Sequence, residues 1–163
     1  MFEVLVFVYE NYWRGDACPE PQQLGRKLTA VGFEADEIKE ALHWLDGLHL
    51  ASHSTDLARA TALPPAASMT LPATDSLRLY SVAEQDHLGA ECLGFVSFLE
   101  TAGILAPVMR EIVLDRAMAA NGNPVTLDDL KIIILMVYWS FGEEPDALVL
   151  DELCDDASDR LAH

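Results

Sequence analysis

The chain has 163 residues, 27 acidic against 10 basic, with a formal net charge of −17 and 51% hydrophobic residues. That apolar content suffices to bury a core in one medium domain or two small lobes, and it excludes a disordered acidic chain, which needs few apolar residues as well as high charge. The charge argues against direct nucleic-acid binding, because Lys and Arg must displace counterions from phosphates, and it disfavours an anionic membrane surface for the same reason.

Cys18, Cys92 and Cys154 are odd in number and far apart, the pattern of reduced thiols rather than of a disulfide framework. The apolar N-terminus carries Glu3 and Glu10 and no cationic region, unlike a signal peptide. The run Ile132 to Val137 is far short of the ~18 residues that a membrane span requires. A cytoplasmic protein with no membrane contact is expected.

Phe2, Leu5, Val6, Tyr9, Tyr12 and Trp13 fall at helical spacing and predict a first helix that stops at Gly15-Asp16. Pro19 and Pro21 open a second element, in which Leu24, Leu28 and Val31 recur until Gly32, a residue suited to a left-handed C-cap. A third helix follows, with Ile38, Ala41, Leu42 and Leu45 on one side. Glu34, Asp36 and Glu37 crowd its first turn and complement the positive end of the helix dipole. Residues 1–50 thus form a three-helix unit.

Residues 51–76 turn to Ala, Ser, Thr and Pro and read as a flexible linker. Leu77-Arg78-Leu79-Tyr80 alternates and suggests one short strand, after which Ser81 and Glu84 stand at capping-box spacing. The helix beyond runs to Leu99 or breaks near Gly89 or Gly94. Val108, Ile112 and Val113 lie on another helical grid, ended by Asn121-Gly122-Asn123-Pro124. Thr126 and Asp129 then cap a last major helix that is apolar nearly all round and therefore central.

Residues 77–142 form the C-terminal helical unit. In the tail, 143–163, Leu148, Val149, Leu150 and Leu153 could pack a short helix along an acidic face. One spacing recurs: Leu28, Gly32-Phe33, Ile38 and Ala41-Leu42 are echoed by Leu99, Gly103-Ile104, Met109 and Ile112-Val113. Two copies do not make a repeat array. The expected fold is all-α with two packed helical lobes, the first resembling a helix-turn-helix or winged-helix unit with one short strand.

Two Glu-x-x-His pairs, Glu40 with His43 and Glu84 with His87, have the spacing used by di-metal bundles, with Glu10, Glu91, Glu100 and Glu111 as conceivable partners. The helices look too short for such a bundle, and chance surface placement is the better reading. His49 and His53 have zinc-pair spacing but straddle the expected helix end, without a Cys-x-x-Cys. Cys154 lies among acids that oppose a thiolate, and Cys92 sits on an apolar segment. No nucleophile elbow, phosphate loop or dinucleotide fingerprint occurs. No catalytic residue, metal or cofactor is therefore expected.

A winged-helix DNA binder should present a basic third helix, yet this one carries Glu34, Asp36, Glu37, Glu40 and Asp46 against Lys39. Arg78, Arg110, Arg116 and Lys131 are the remaining candidates for a basic patch, and ion pairs with neighbouring acids are their simpler fate. Trp13, Trp44 and Trp139 are expected to pack in the core.

MFEVLVFVYENY, AVGFEADEIKEALHWLDGL, LRLY, CLGFVSFLETAGIL, MREIVLDRAMA and LDDLKIIILMVYW, in this order, resemble the bacterial Smg protein family over nearly the whole chain. Ile132 departs from the family pattern, where Trp follows the Lys. The resemblance implies a cytoplasmic protein without an established activity, whose genes neighbour one for a DNA-processing protein. It brings no catalytic residues.

The sequence thus points to a non-enzymatic protein acting through contacts with a protein partner, as an accessory to DNA processing. A winged-helix nucleic-acid binder and a small di-metal enzyme are the alternatives. Glu34, Asp36, Glu37, Glu40, Arg78 and Tyr80 are the candidate interaction residues.

Overall fold

The computed structural model describes residues 1–12, 21–61, 78–121, 124–143 and 145, with side chains through Thr55 in the third helix. Among the described residues six helices account for the regular structure: α1 (Phe2–Tyr12), α2 (Pro21–Val31), α3 (Ala35–Thr61), α4 (Val82–Thr101), α5 (Pro107–Met118) and α6 (Leu127–Ser140). The described residues contain no strand, and the fold is all-α.

Helix α6 forms the centre. Every residue from Leu130 to Tyr138 is buried, and α1, α3, α4 and α5 all pack against it. Its start is fixed as the sequence indicates: the Thr126 hydroxyl accepts the Asp129 N–H at 3.2 Å and donates to the Asp129 carboxylate at 2.7 Å, satisfying a donor that would otherwise lack a helical partner. Ile132 is 4% exposed and belongs to this core.

Among the described residues the helices of the N-terminal and C-terminal units contribute to one buried cluster. Leu5 and Val8 of α1, Leu24 and Leu28 of α2, Trp44 and Leu48 of α3 and Val96 and Leu99 of α4 belong to the same buried cluster as α6. The indole N–H of Trp44 donates to the Arg116 carbonyl at 2.9 Å, joining α3 to α5. Trp139 is partly buried against this core, whereas Trp13 lies outside the described residues.

The echoed spacing has a physical basis. At the end of α2, Phe33 N–H donates to the Leu28 carbonyl and Gly32 N–H to that of Thr29, each at 3.2 Å. At the end of α4, Ile104 N–H reaches Leu99 and Gly103 N–H reaches Glu100. Both are Schellman caps, with Gly32 at φ 113° and Gly103 at φ 72°, where a side chain would be strained. The Leu and Gly positions of the echo are therefore one helix-ending device, which Tyr138 and Gly142 use again at the end of α6.

Two expectations about elements are corrected. α3 continues through residues 51–61, the first part of the stretch that composition marks as linker. Ser52, Ser54 and Thr55 turn their hydroxyls back onto the carbonyls of His49, Ala51 and Ala51 at 3.0, 2.9 and 3.0 Å. Polar side chains that could compete with the helix are thus used inside it. Residues 62–76 lie outside the described part. The strand suggested for Leu77–Tyr80 is absent at Arg78–Tyr80, which form an irregular segment held by side chains. α4 breaks at Gly89, one of the two positions that the sequence allows.

Candidate interaction surface

The segment Arg78–Tyr80 is strapped across α4 and α5. Its anchor is Arg78, whose Nε and Nη2 donate to the two carboxylate oxygens of Glu111 on α5 at 2.8 and 2.9 Å. Nη2 also donates to Glu84 on α4 at 2.9 Å. The guanidinium lies 5.1 Å from the centre of the Tyr80 ring, a favourable stack for a delocalised cation. Its remaining nitrogen, Nη1, is buried and makes no hydrogen bond among the described residues.

Glu84 ties this anchor to the start of α4. Its second oxygen accepts the Ser81 backbone N–H at 2.7 Å and the Ser81 hydroxyl at 2.9 Å, while its own N–H donates to that hydroxyl at 3.3 Å. The expected capping box is therefore present. Hydrogen bonds from Arg78 and then from Ser81 hold the Glu84 carboxyl down at about 2. Burial alone would lower the Arg78 pKa, but the bonds to Glu84 and Glu111 outweigh it and raise the value. Burial likewise opposes ionisation of Glu111, and the bonds from Arg78 and Arg110 prevail, lowering its pKa.

Tyr80 fixes the other end. Its hydroxyl lies 3.3 Å from that of Ser97, and its carbonyl accepts from the Gln85 side chain at 2.8 Å. Between the two anchors Leu79 is 88% exposed, and Val82, just beyond, is 72% exposed. Phe98, next to Ser97, and Val108, one turn from Glu111 on α5, are 62% and 53% exposed. Leu79 and Val82 thus stand exposed on or beside a strap whose ends are tied down, and Phe98 and Val108 are exposed on the two helices to which it is bonded.

The cations that could have made a basic patch are engaged. Arg110 pairs with Glu100 and Glu111, and Arg116 with Asp115 at 2.7 Å. Lys131 is buried, its ammonium 6.0 Å from the Phe95 ring centre. Each guanidinium already holds a carboxylate, so a phosphate reaching this face would have to displace one. Among the described residues Arg78 is therefore part of an ion-paired cluster with Glu84 and Glu111.

The acidic candidates on α3 divide in two. Glu37 lies 3.6 Å from the Met1 ammonium, and Glu40 accepts from the Asn121 side chain at 3.0 Å; these tie elements together. Glu34 and Asp36 are exposed at the helix start. The structure does not bring these four acids together with Arg78 and Tyr80 through any of these bonds. Leu79, Val82, Phe98 and Val108 carry no mark in the sequence; only exposure distinguishes them from core residues at the same helical spacing.

The Glu-x-x-His pairs do not assemble. Glu84 is occupied by Arg78 and Ser81, and His87 Nε2 lies 3.1 Å from the Ala117 carbonyl. Among the described residues no three His, Cys, Asp or Glu side chains come together as a metal site. Cys92 is buried, with its thiol 3.4 Å from the Val125 carbonyl. Burial, and then the charges of Glu91 and Asp129, push it up to about 11.

Among the described residues these features define six helices around one core, with an ion-paired strap and exposed apolar side chains. The whole chain, residues 1–163, matches the family described as Protein of unknown function (DUF494), and the protein belongs to that family. It is similar to the Protein Smg homolog of Leptothrix cholodnii, 59% identical over 163 residues and all of both chains. The Protein Smg homologs of Methylibium petroleiphilum and Bordetella pertussis are 56% and 44% identical, again over the full length of both chains. No solved structure matches the chain. No helix among the described residues is long and apolar enough to cross a membrane.

Proposed function

We propose that this protein is a non-enzymatic, cytoplasmic accessory that binds a protein partner through the face around the Arg78–Tyr80 strap. The observation that carries the reading is the set of large apolar side chains exposed there, Leu79 above all, on backbone tied down on both sides. Apolar anchors on a preorganised surface are what a protein interface uses, because less ordering entropy is lost on binding. The net charge of −17 favours a partner with a basic rim, whose approach it would steer. Glu34 and Asp36 contribute to that steering from α3.

The Smg resemblance makes a DNA-processing protein the first partner to try. Binding of that protein, purified, is measured by titration with the wild-type chain and with Leu79→Asp and Phe98→Asp variants. A complex weakened by either substitution and by added salt supports the reading. An equally tight complex with both variants, or a salt-sensitive complex with DNA alone, contradicts it.

A further inference from the structure

The exposed side of α3 carries a second arrangement, independent of the strap. His49 and His53 are four residues apart on α3, both exposed, with ring centres 4.7 Å apart. The helix runs on to Thr61, so neither histidine lies at a helix end and helical geometry fixes their spacing. This corrects the expectation that the pair straddles a terminus. Side chains at i and i+4 stand about 5–6 Å apart at Cβ, a separation that two imidazoles can bridge onto one ion, as the paired histidines of helical zinc motifs do.

We propose that His49 and His53 form a two-imidazole surface site for an exchangeable transition-metal dication. Imidazole nitrogen suits zinc, nickel and copper. Asp46 stands one turn before His49 on the same stripe, exposed, and adds negative potential to that of a chain at −17. No third ligand joins them among the described residues, so water completes the coordination sphere. Such a site is open and exchangeable, unlike a closed four-ligand structural zinc site.

The test is calorimetric titration of Ni²⁺ alone into the full chain after chelator treatment. One ion per chain is expected, with affinity reduced about tenfold or more in His49→Ala and in His53→Ala. His43→Ala, on α3 but about 9 Å along the helix from His49, should bind as wild type. A double substitution, His53→Ser with Ser54→His, keeps the composition but moves the second imidazole out of register and should also lose the ion. Far-UV circular dichroism establishes that each variant keeps its helices. Absence of Ni²⁺ binding, or undiminished binding in the His49→Ala or register variant, overturns the proposal.

Discussion

Arg78 grips Glu111 through two parallel N–H···O bonds, at 2.8 and 2.9 Å, and so fastens the segment ahead of α4 onto α5. Replacing it by methionine keeps apolar bulk but releases both Glu84 and Glu111. Exposed ion pairs contribute up to about 1 kcal/mol, and Glu111 is 49% exposed, so a loss of about 1 kcal/mol in denaturant unfolding is expected.

The same variant should change the acid limb of stability. Glu84 sits at about 2 in the folded chain against an ordinary 4.5. A depressed carboxylate contributes stability that is fully present above the unfolded value and is lost as pH falls from 4.5 through about 2. Glu111 is shifted in the same direction. Stability of Arg78→Met measured across that window should fall less steeply than wild type. Parallel curves would mean that the strap does not hold Glu84.

Trp44 tests the α3 to α5 joint. Trp44→Phe keeps a ring in the core but removes the bond to the Arg116 carbonyl. The acceptor is partly buried, so losing its donor costs about 1 kcal/mol. A variant as stable as wild type by thermal unfolding would show that the carbonyl finds another donor.

Two helical glycines should respond differently to alanine. At Gly25 an added Cβ would meet Leu42 at 3.5 Å, an ordinary contact, so Gly25→Ala should stabilise by about 0.5–1 kcal/mol through helix propensity. At Gly47 it would come within 1.9 Å of the Arg116 guanidinium. That side chain must swing aside, and Gly47→Ala should gain less. In an Arg116→Ala background the full gain should return, which a double-mutant cycle reads directly.

Cys92 should be unreactive. With Cys18 and Cys154 changed to serine, the folded chain should resist alkylation at neutral pH and react on unfolding, because a buried thiol pushed up to about 11 supplies little thiolate. Rapid labelling of the native chain would contradict the packing of Cys92 against the Val125 carbonyl.

Much of this architecture is legible in the residues. The caps at Ser81 and Thr126, the terminators Gly32 and Gly103 and the buried helix around Ile133 follow from local chemistry and apolar period. The C-terminal end of α3 does not, because Ser52, Ser54 and Thr55 suggest a loop until their bonds to carbonyls one turn back are seen. Arg78–Tyr80 alternates like a strand, yet its conformation is set by Glu111 and Ser97, 33 and 17 residues away. The candidate surface is half visible for the same reason. Arg78 and Tyr80 stand out as residue types, whereas Leu79 and Phe98 look like core until the fold turns them outward.

The most direct test of the proposed surface is site-specific photocrosslinking in the native host, with a photoreactive residue placed at Leu79, at Phe98 or at Gln22 on α2. One and the same protein adduct is predicted from positions 79 and 98, weakened by Arg78→Met and absent from position 22. No adduct at 79 and 98, or the same adduct from all three positions, would contradict a partner-binding face at the strap.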